Sequence, residues 1–173
     1  LPSLKNYYIN TRHGSPFTTL YTSKGCPFSC IFCTVRNTPL KKRSAKSIIS
    51  ELRYLKKIYN IKTVSFFDET FTIDRKRVLA ICDSLKSENL RILWYCNTRV
   101  GLVDEDLLKK MFEAGCRGIS YDIESGSQTI LDNAGKGATV EQSEKAIMMA
   151  KKTGLKVLCS FIFGLPGENW ATI

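Results

Sequence analysis

The feature that most constrains the fold is a regular alternation of β-type runs with helical patterns. Five apolar, β-branched or aromatic runs are predicted as strands: 17–23, 63–67, 91–97, 118–123 and 156–163. Four helical patterns follow, and each starts near a good N-cap residue: Ser44, Asp74, Asp104 and Thr139. The first helix is predicted to bury Ile48, Leu52, Leu55 and Ile58. Consecutive β/α units of this kind predict a parallel sheet with right-handed crossovers.

Chemically unusual residues follow one predicted strand after another. They are the cysteines of 26–33, then 68–70, 97–99, 124–126 and 164–168. A Rossmann sheet is the competing arrangement, but no Gly-x-Gly-x-x-Gly follows any strand. In a β/α barrel all of these loops share the C-terminal face, where active sites are built. The pattern therefore favours an α/β barrel, here an incomplete one.

Composition and charge narrow the class of protein. Hydrophobic residues make up 43% of the 173 residues, which is enough for a core. No apolar run approaches the roughly 20 residues of a membrane span. Residues 1–86 carry 16 Lys and Arg against 5 Asp and Glu, whereas residues 87–173 carry 10 against 11. Because the basic residues of 46–57 are interleaved with helical apolar positions, we interpret them as a solvated helix face and disfavour nucleic-acid binding.

The seven cysteines fall into two groups. Four stand singly inside apolar segments and are predicted to be small buried hydrophobes: Cys82, Cys96, Cys116 and Cys159. The other three, Cys26, Cys30 and Cys33, crowd into one loop. An odd number of cysteines in a chain of this length does not suit a secreted disulfide scaffold. We therefore expect a reducing, cytoplasmic location.

The three-cysteine loop has the character of a metal site. Gly25 and Pro27 predict a turning backbone, and three thiolates in one short loop can surround one metal centre. A structural zinc site needs a fourth ligand, which His13 would supply. An iron–sulfur cube normally takes four cysteines, so three would leave one iron open to a substrate or cofactor. The residues alone leave both centres possible.

The motif Cys26-x-x-x-Cys30-x-x-Cys33 after a first strand, with Phe32 before the last cysteine, resembles the radical S-adenosylmethionine (SAM) superfamily. In that family the three cysteines hold a 4Fe-4S cluster, and the amino and carboxylate groups of SAM bind the open iron. One electron then cleaves SAM to a 5′-deoxyadenosyl radical. Residues 66–72, 94–100, 124–128 and 164–168 resemble the branch usually fused to a cobalamin-binding domain. Its members include methyltransferases and ring-forming or oxidising enzymes.

The resemblance implies that Cys26, Cys30 and Cys33 are the cluster ligands. It assigns SAM-binding roles to nine further residues: Phe32, Asp68, Glu69, Arg99, Glu124, Ser125, Gly126, Ile162 and Gly164. The aromatic ring and the segment 162–164 would lie against the adenine, and the acidic pair after the second strand would accept hydrogen bonds from the ammonium group. Arg99 would pair with the methionine carboxylate. The residues 124–126 would approach the ribose or the methionine end.

Some positions depart from the pattern of the branch. Asp122 and Ser160 stand where glycine is usual, and the glycine-rich segment 132–137 predicts a looser or diverged stretch before a helix. None of these departures removes a cluster ligand. They concern the handling of the substrate rather than the cluster.

The family barrel has one β/α unit more than this chain. The resemblance therefore implies an incomplete (β/α)6-type TIM-like barrel of parallel strands with outer helices, truncated after the fifth strand. Residues 16–173 would be the radical SAM core, and residues 1–15 a lead-in from a missing preceding domain. Cobalamin, if used, would be bound by a domain outside this chain.

The implied function is reductive cleavage of SAM for cobalamin-dependent methyl transfer or oxidative rearrangement at an unactivated carbon. A small-molecule or lipid-like substrate and a one-electron reductant such as flavodoxin or ferredoxin would be its partners. Two alternatives stay open: an RNA-modifying methylthiotransferase, and a zinc-stabilised basic binding module without catalysis. The sequence names neither a substrate nor a catalytic residue.

Overall fold

A computed structural model of the chain describes residues 16–173 and places a five-stranded parallel sheet at its centre. The strands lie in the order β1 (Phe17–Leu20), β4 (Thr63–Phe66), β5 (Leu93–Thr98), β6 (Cys116–Glu124) and β7 (Lys156–Phe161). A separate antiparallel ribbon pairs β2 (Ser23–Lys24) with β3 (Lys41–Lys42). The predicted parallel α/β sheet is thus confirmed, whereas the ribbon was not predicted. His13 and the predicted lead-in 1–15 lie outside the described residues.

The helices follow the sheet strands as the alternation predicts. They are α1 (Ala45–Tyr59), α2 (Arg75–Ser87), α3 (Glu105–Glu113), α4 (Gln128–Asn133) and α5 (Val140–Lys152). The four predicted N-caps all accept a backbone N–H through their side chains, and Thr139 forms a capping box with Gln142. These contacts satisfy N–H groups that have no partner within a helix. The short helix α4 was not predicted.

The core lies between the sheet and its helices. The rings of Phe66 and Phe71 are stacked with their centroids 4.8 Å apart, and the ring of Trp94 meets Phe66 edge-on at 5.3 Å. Ile48 and Leu52 of α1 are fully buried in the same cluster. The prediction for Ile58 is wrong, since 53% of this residue is exposed near the end of the helix.

Most predicted strand limits differ from the structure by one to three residues, and the fourth sheet strand, for example, spans Cys116–Glu124 instead of 118–123. The first strand ends at Leu20 instead of 23, because the N–H of Thr22 turns away to the Asp68 carboxylate. The third sheet strand begins at Leu93 instead of 91, because Arg91 has a left-handed backbone with φ of 47°. The last strand ends at Phe161 instead of 163.

The inner face of the sheet is open on one side. A cavity of about 270 Å³ lies over it, lined by Ser65, Tyr95, Asn97, Ser120 and Leu158 among others. In the described chain β7 pairs only with β6, and 68% of Leu158 is exposed on this edge strand. Such an edge is a surface for further pairing. No helix among residues 16–173 has the length and apolar character needed to cross a bilayer.

Candidate cofactor site

The three cysteines lie on a loop that the β2–β3 ribbon carries at the C-terminal end of β1. Gly25 has φ of 93°, and a Cβ there would lie 2.2 Å from the carbonyl oxygen of Pro39, so only glycine fits. The Thr38 hydroxyl accepts a hydrogen bond from the Cys26 N–H at 2.9 Å and donates one to the Val35 carbonyl at 2.7 Å. The loop therefore has a defined backbone without being a helix or a strand.

The donor set of the loop fits an iron–sulfur cluster. Cys26, Cys30 and Cys33 are all free thiols, with the first two buried and the third half-buried. Among residues 16–173, no three Cys, His, Asp or Glu side chains converge on the position of one metal ion. A cube does not require such convergence, because each of its irons takes its own cysteine. The loop thus offers three separate soft ligands from one side.

Arg99 lies beneath the loop rather than in open space. Its Nη1 is 3.3 Å from the Cys30 Sγ, and its Nη2 donates a hydrogen bond to the Lys136 carbonyl. The guanidinium carbon stands 3.9 Å from the centre of the Phe28 ring, within the range of a cation–π contact. A buried cation therefore faces one of the three thiols.

The adjacent carboxylates Asp68 and Glu69 have different surroundings. Asp68 is fully buried and accepts hydrogen bonds from the N–H and hydroxyl of Thr22 and from the Ser23 hydroxyl, and Arg77 Nη2 is 3.4 Å away. These contacts join the ends of β4 and β1. The Oε2 atom of Glu69 is buried and has no hydrogen-bond partner within the described chain. Of these two carboxylates as residues 16–173 surround them, Glu69 is the one that keeps an unpaired acceptor atom for a ligand.

Glu124 ends β6 in a strained conformation and forms a buried ion pair. Its φ is 73°, which is unusual for a residue with a side chain. The Lys136 Nζ lies 2.9 Å from its Oε1, and both side chains are buried. The next residue, Ser125, is buried and its hydroxyl accepts the N–H of Ser127. A Cβ at Gly126 would meet open space, so the packing of the chain itself does not require glycine there.

Two residues that were expected to flank the adenine are brought together. Phe32 and Ile162 pack against a small apolar cluster separate from the main core, formed by Ile130, Ala134 and Leu165. Gly164 has φ of 87°, and its N–H donates to the Glu168 carboxylate. The apolar cluster and the cysteine loop are in contact, since the Ile31 N–H donates to the Ala134 carbonyl at 3.0 Å.

Sequence reasoning missed Lys136 and misjudged its surroundings. The segment 132–137, expected to be loose, ends α4 and holds Arg99, Glu124 and the cysteine loop through close contacts. The signal that could have identified it is a lone lysine between two glycines, since both Gly135 and Gly137 have positive φ.

The two positions that depart from the branch pattern, Asp122 and Ser160, contact each other, because the serine hydroxyl donates a hydrogen bond to the carboxylate at 2.9 Å.

A parallel sheet with a three-cysteine loop after its first strand, and polar residues at its strand ends, defines an α/β enzyme of the barrel type. The sequence profile of the Radical SAM superfamily matches residues 20–173. The chain therefore belongs to this superfamily.

Two curated relatives are similar over most of the chain. An uncharacterised methyltransferase of Pyrococcus horikoshii is 43% identical over 160 residues, which cover 90% of this chain and 35% of the relative. The anaerobic magnesium-protoporphyrin IX monomethyl ester cyclase of Rubrivivax gelatinosus is 34% identical over 155 residues, which cover 87% of this chain and 28% of the relative. The chain thus spans about a third of the length of these relatives.

Two solved structures share the fold. The cobalamin-dependent SAM radical enzyme OxsB, with aqua-cobalamin and SAM bound, matches 83% of this chain and 23% of its own at a TM-score of 0.75 and 26% identity. The radical SAM methyltransferase TsrM of Kitasatospora setae, with cobalamin and a [4Fe-4S] cluster bound, matches 93% of this chain and 31% of its own at 0.81 and 20% identity. The fold of this chain is therefore that of a radical SAM partial barrel.

Proposed function

We propose that residues 16–173 form the core of a radical SAM enzyme that binds a 4Fe-4S cluster and SAM and cleaves SAM reductively. One observation carries the proposal: three free thiols on a loop with a defined backbone lie at the strand ends of a sheet that also presents the buried, unpartnered Oε2 of Glu69. Membership of an enzyme superfamily disfavours the zinc-stabilised binding module among the alternatives.

Different residues would bind the cluster and SAM. Cys26, Cys30 and Cys33 would bind three irons, and the cluster, once bound, would supply the electron that cleaves SAM. Glu69 would accept a hydrogen bond from the ammonium of SAM, because its buried Oε2 has no hydrogen-bond partner among residues 16–173. Phe32 and Ile162 would exclude water from the adenine.

The remaining residues expected at the site would mainly hold other parts of it in place. Asp68 would act on the fold and not on SAM, since internal donors surround its carboxylate. Glu124, neutralised by Lys136, would place Ser125 and Gly126 next to the ribose or the methionine end. Gly164 would hold the turn that follows Ile162.

The reaction we propose is methyl transfer or oxidative rearrangement at an unactivated carbon of a small-molecule or lipid-like substrate. The relatives support this, because one is named a methyltransferase and the other a cyclase. Cobalamin would be bound outside residues 16–173, and a flavodoxin- or ferredoxin-type protein would supply the electron. Nucleic acid is not part of the proposal, since Lys42 and Arg43 of the basic stretch pair with Asp74 and Glu51.

The test is anaerobic reconstitution of the purified protein with iron and sulfide, comparing wild type, Cys33→Ala and Cys159→Ala. Cys159 is the matched control, because it is a half-buried cysteine on β7, away from the loop. We expect about four irons per chain in wild type and in the control, with the cluster lost in Cys33→Ala. The EPR spectrum of the reduced wild type should change when SAM is added.

Two results would overturn the proposal. One is zinc retained in place of iron, and the other is equal iron in Cys33→Ala and wild type. If the EPR spectrum of the reduced cluster did not change on addition of SAM, the cluster would stand but the binding of SAM to an open iron would be wrong.

A further inference from the structure

We propose that Arg99 is a positioning residue that raises the reduction potential of the cluster by donating a hydrogen bond to the Cys30 sulfur. The proposal rests on the proposed function, since it presumes a cluster on the loop. It differs from the pairing with the SAM carboxylate that the sequence resemblance implies for this residue. The argument comes from where the guanidinium lies and from what else it touches.

The guanidinium is fixed by three contacts that approach it from different directions. Nη1 lies 3.3 Å from the Cys30 Sγ, and Nη2 donates to the Lys136 carbonyl. The Phe28 ring covers one face of the plane at 3.9 Å. Only 9% of the residue is exposed, so solvent does not compete for these donors. A rigid planar fork of this kind is a property of arginine and not of lysine.

The supports of Arg99 belong to the same site. Phe28 lies within the cysteine loop, two residues before Cys30. Lys136, whose carbonyl receives Nη2, uses its own ammonium to pair with Glu124 at 2.9 Å. The cation is therefore held between the loop and the turn after α4. Any movement of the loop would change the distance between the guanidinium and the sulfur.

The effect on the cluster follows from electrostatics. Reduction moves one electron from a flavodoxin- or ferredoxin-type donor onto the cluster, which becomes more negative by one charge while the donor is oxidised. A hydrogen bond from a buried cation to a ligand sulfur stabilises the more negative state more strongly. The low polarity around a buried group strengthens this preference. Arg99 thus makes the cluster easier to reduce.

The experiment is an EPR-monitored redox titration of the reconstituted protein, comparing wild type, Arg99→Lys and Arg99→Gln. Arg77→Lys is the control, because Arg77 is also a buried arginine beside an aromatic ring but makes its contacts to Asp68, Thr22 and Phe71. We expect the Arg99→Gln potential to become more negative. A tenfold shift in the ratio of oxidised to reduced cluster corresponds to about 59 mV for this one-electron couple. The reduction potential of Arg99→Lys should lie between those of wild type and Arg99→Gln, and the control should keep the wild-type potential.

The outcomes separate this inference from the proposed function. Equal potentials in wild type and Arg99→Gln, at equal iron content, would overturn the inference and leave the cluster in place. Loss of iron from both Arg99 variants with an unchanged circular dichroism spectrum would also overturn it, because the residue would then only anchor the loop. A wild-type protein that holds no cluster would defeat both proposals together.

Discussion

The cysteines of the core and the cysteines of the loop show how two regions of one molecule use the same side chain differently. Cys82, Cys96 and Cys116 are buried in the main core. Burial, which disfavours the thiolate, raises the pKa of Cys82 to about 12 and raises that of Cys96 well above its ordinary range. Thiols of this kind stay protonated and act as small apolar side chains.

The loop region surrounds its cysteines with different groups. The Arg99 cation faces Cys30, and Cys33 is only half-buried. A nearby positive charge favours the thiolate form of a cysteine, which is the form that binds metals. The comparison shows that the core cysteines lie among apolar side chains, whereas Cys30 of the loop faces a buried cation.

The neighbours Asp68 and Glu69 differ in a similar way, since one has partners within the fold and the other has, among residues 16–173, a free acceptor. The largest expected loss of stability comes from this pair. We expect Asp68→Asn to lower the free energy of unfolding by about 3–5 kcal/mol, because it breaks a buried ion pair with Arg77 and disturbs the donors of Thr22 and Ser23. Urea unfolding measures this. Glu69→Gln is the control and should stay within about 0.5 kcal/mol of wild type. Equal losses in the two variants would erase the distinction between a structural and a ligand-facing carboxylate.

A smaller loss of stability is expected when a core cysteine is replaced. Cys96→Ser places a hydroxyl in an apolar site and should destabilise the protein by about 1–3 kcal/mol, with the iron content unchanged. Cys30→Ser should show the reverse pattern, with the iron lost and a smaller change in the stability of the metal-free protein. Urea unfolding and iron analysis of both variants check this. Iron loss from Cys96→Ser would mean that the two regions are coupled.

The smallest effect, taken over one pH unit, is a loss of stability at alkaline pH. The unfolded chain ionises Cys82 from its ordinary pKa of 9.0, whereas the folded chain keeps it protonated up to about 12. The contribution of this thiol is therefore fully present below pH 9.0 and is lost as the pH rises towards the folded pKa. The loss is about 1.4 kcal/mol per pH unit within that window.

Urea unfolding at several pH values above 9.0 measures the slope, with Cys82→Ala as the comparison. The variant should lose stability less steeply with pH, because it lacks the buried thiol. Parallel slopes in the two proteins would show that Cys82 ionises equally in the folded and unfolded states.

The strands, helices and caps could be predicted because their signals are local. Asp74 and Asp104 cap their helices through contacts three residues away. The contacts of Asp68 and Arg99 could not be predicted, because the partners of each are distant in the chain: Thr22 lies 46 residues from Asp68, and Cys30 lies 69 residues from Arg99. Lys136 was missed for the same reason. Its pairing with Glu124 depends on how the turn after α4 folds back over β6.

The ribbon of β2 and β3 also changes the entropy of assembling the site. Its pairing of Lys24 with Lys41 brings the two ends of the cysteine loop together within the folded chain. The entropic cost of closing a loop grows only slowly with its length. In this chain the pairing of β2 with β3 already holds the two ends of the loop together. Extra residues between Cys33 and Pro39 would leave this pairing in place but would disturb the hydrogen bonds from the Asn37 N–H to the Phe28 carbonyl and from the Thr38 N–H to the Cys26 carbonyl. The length of the loop is in this sense set from within, by contacts between its two halves, and not by the strands beneath it.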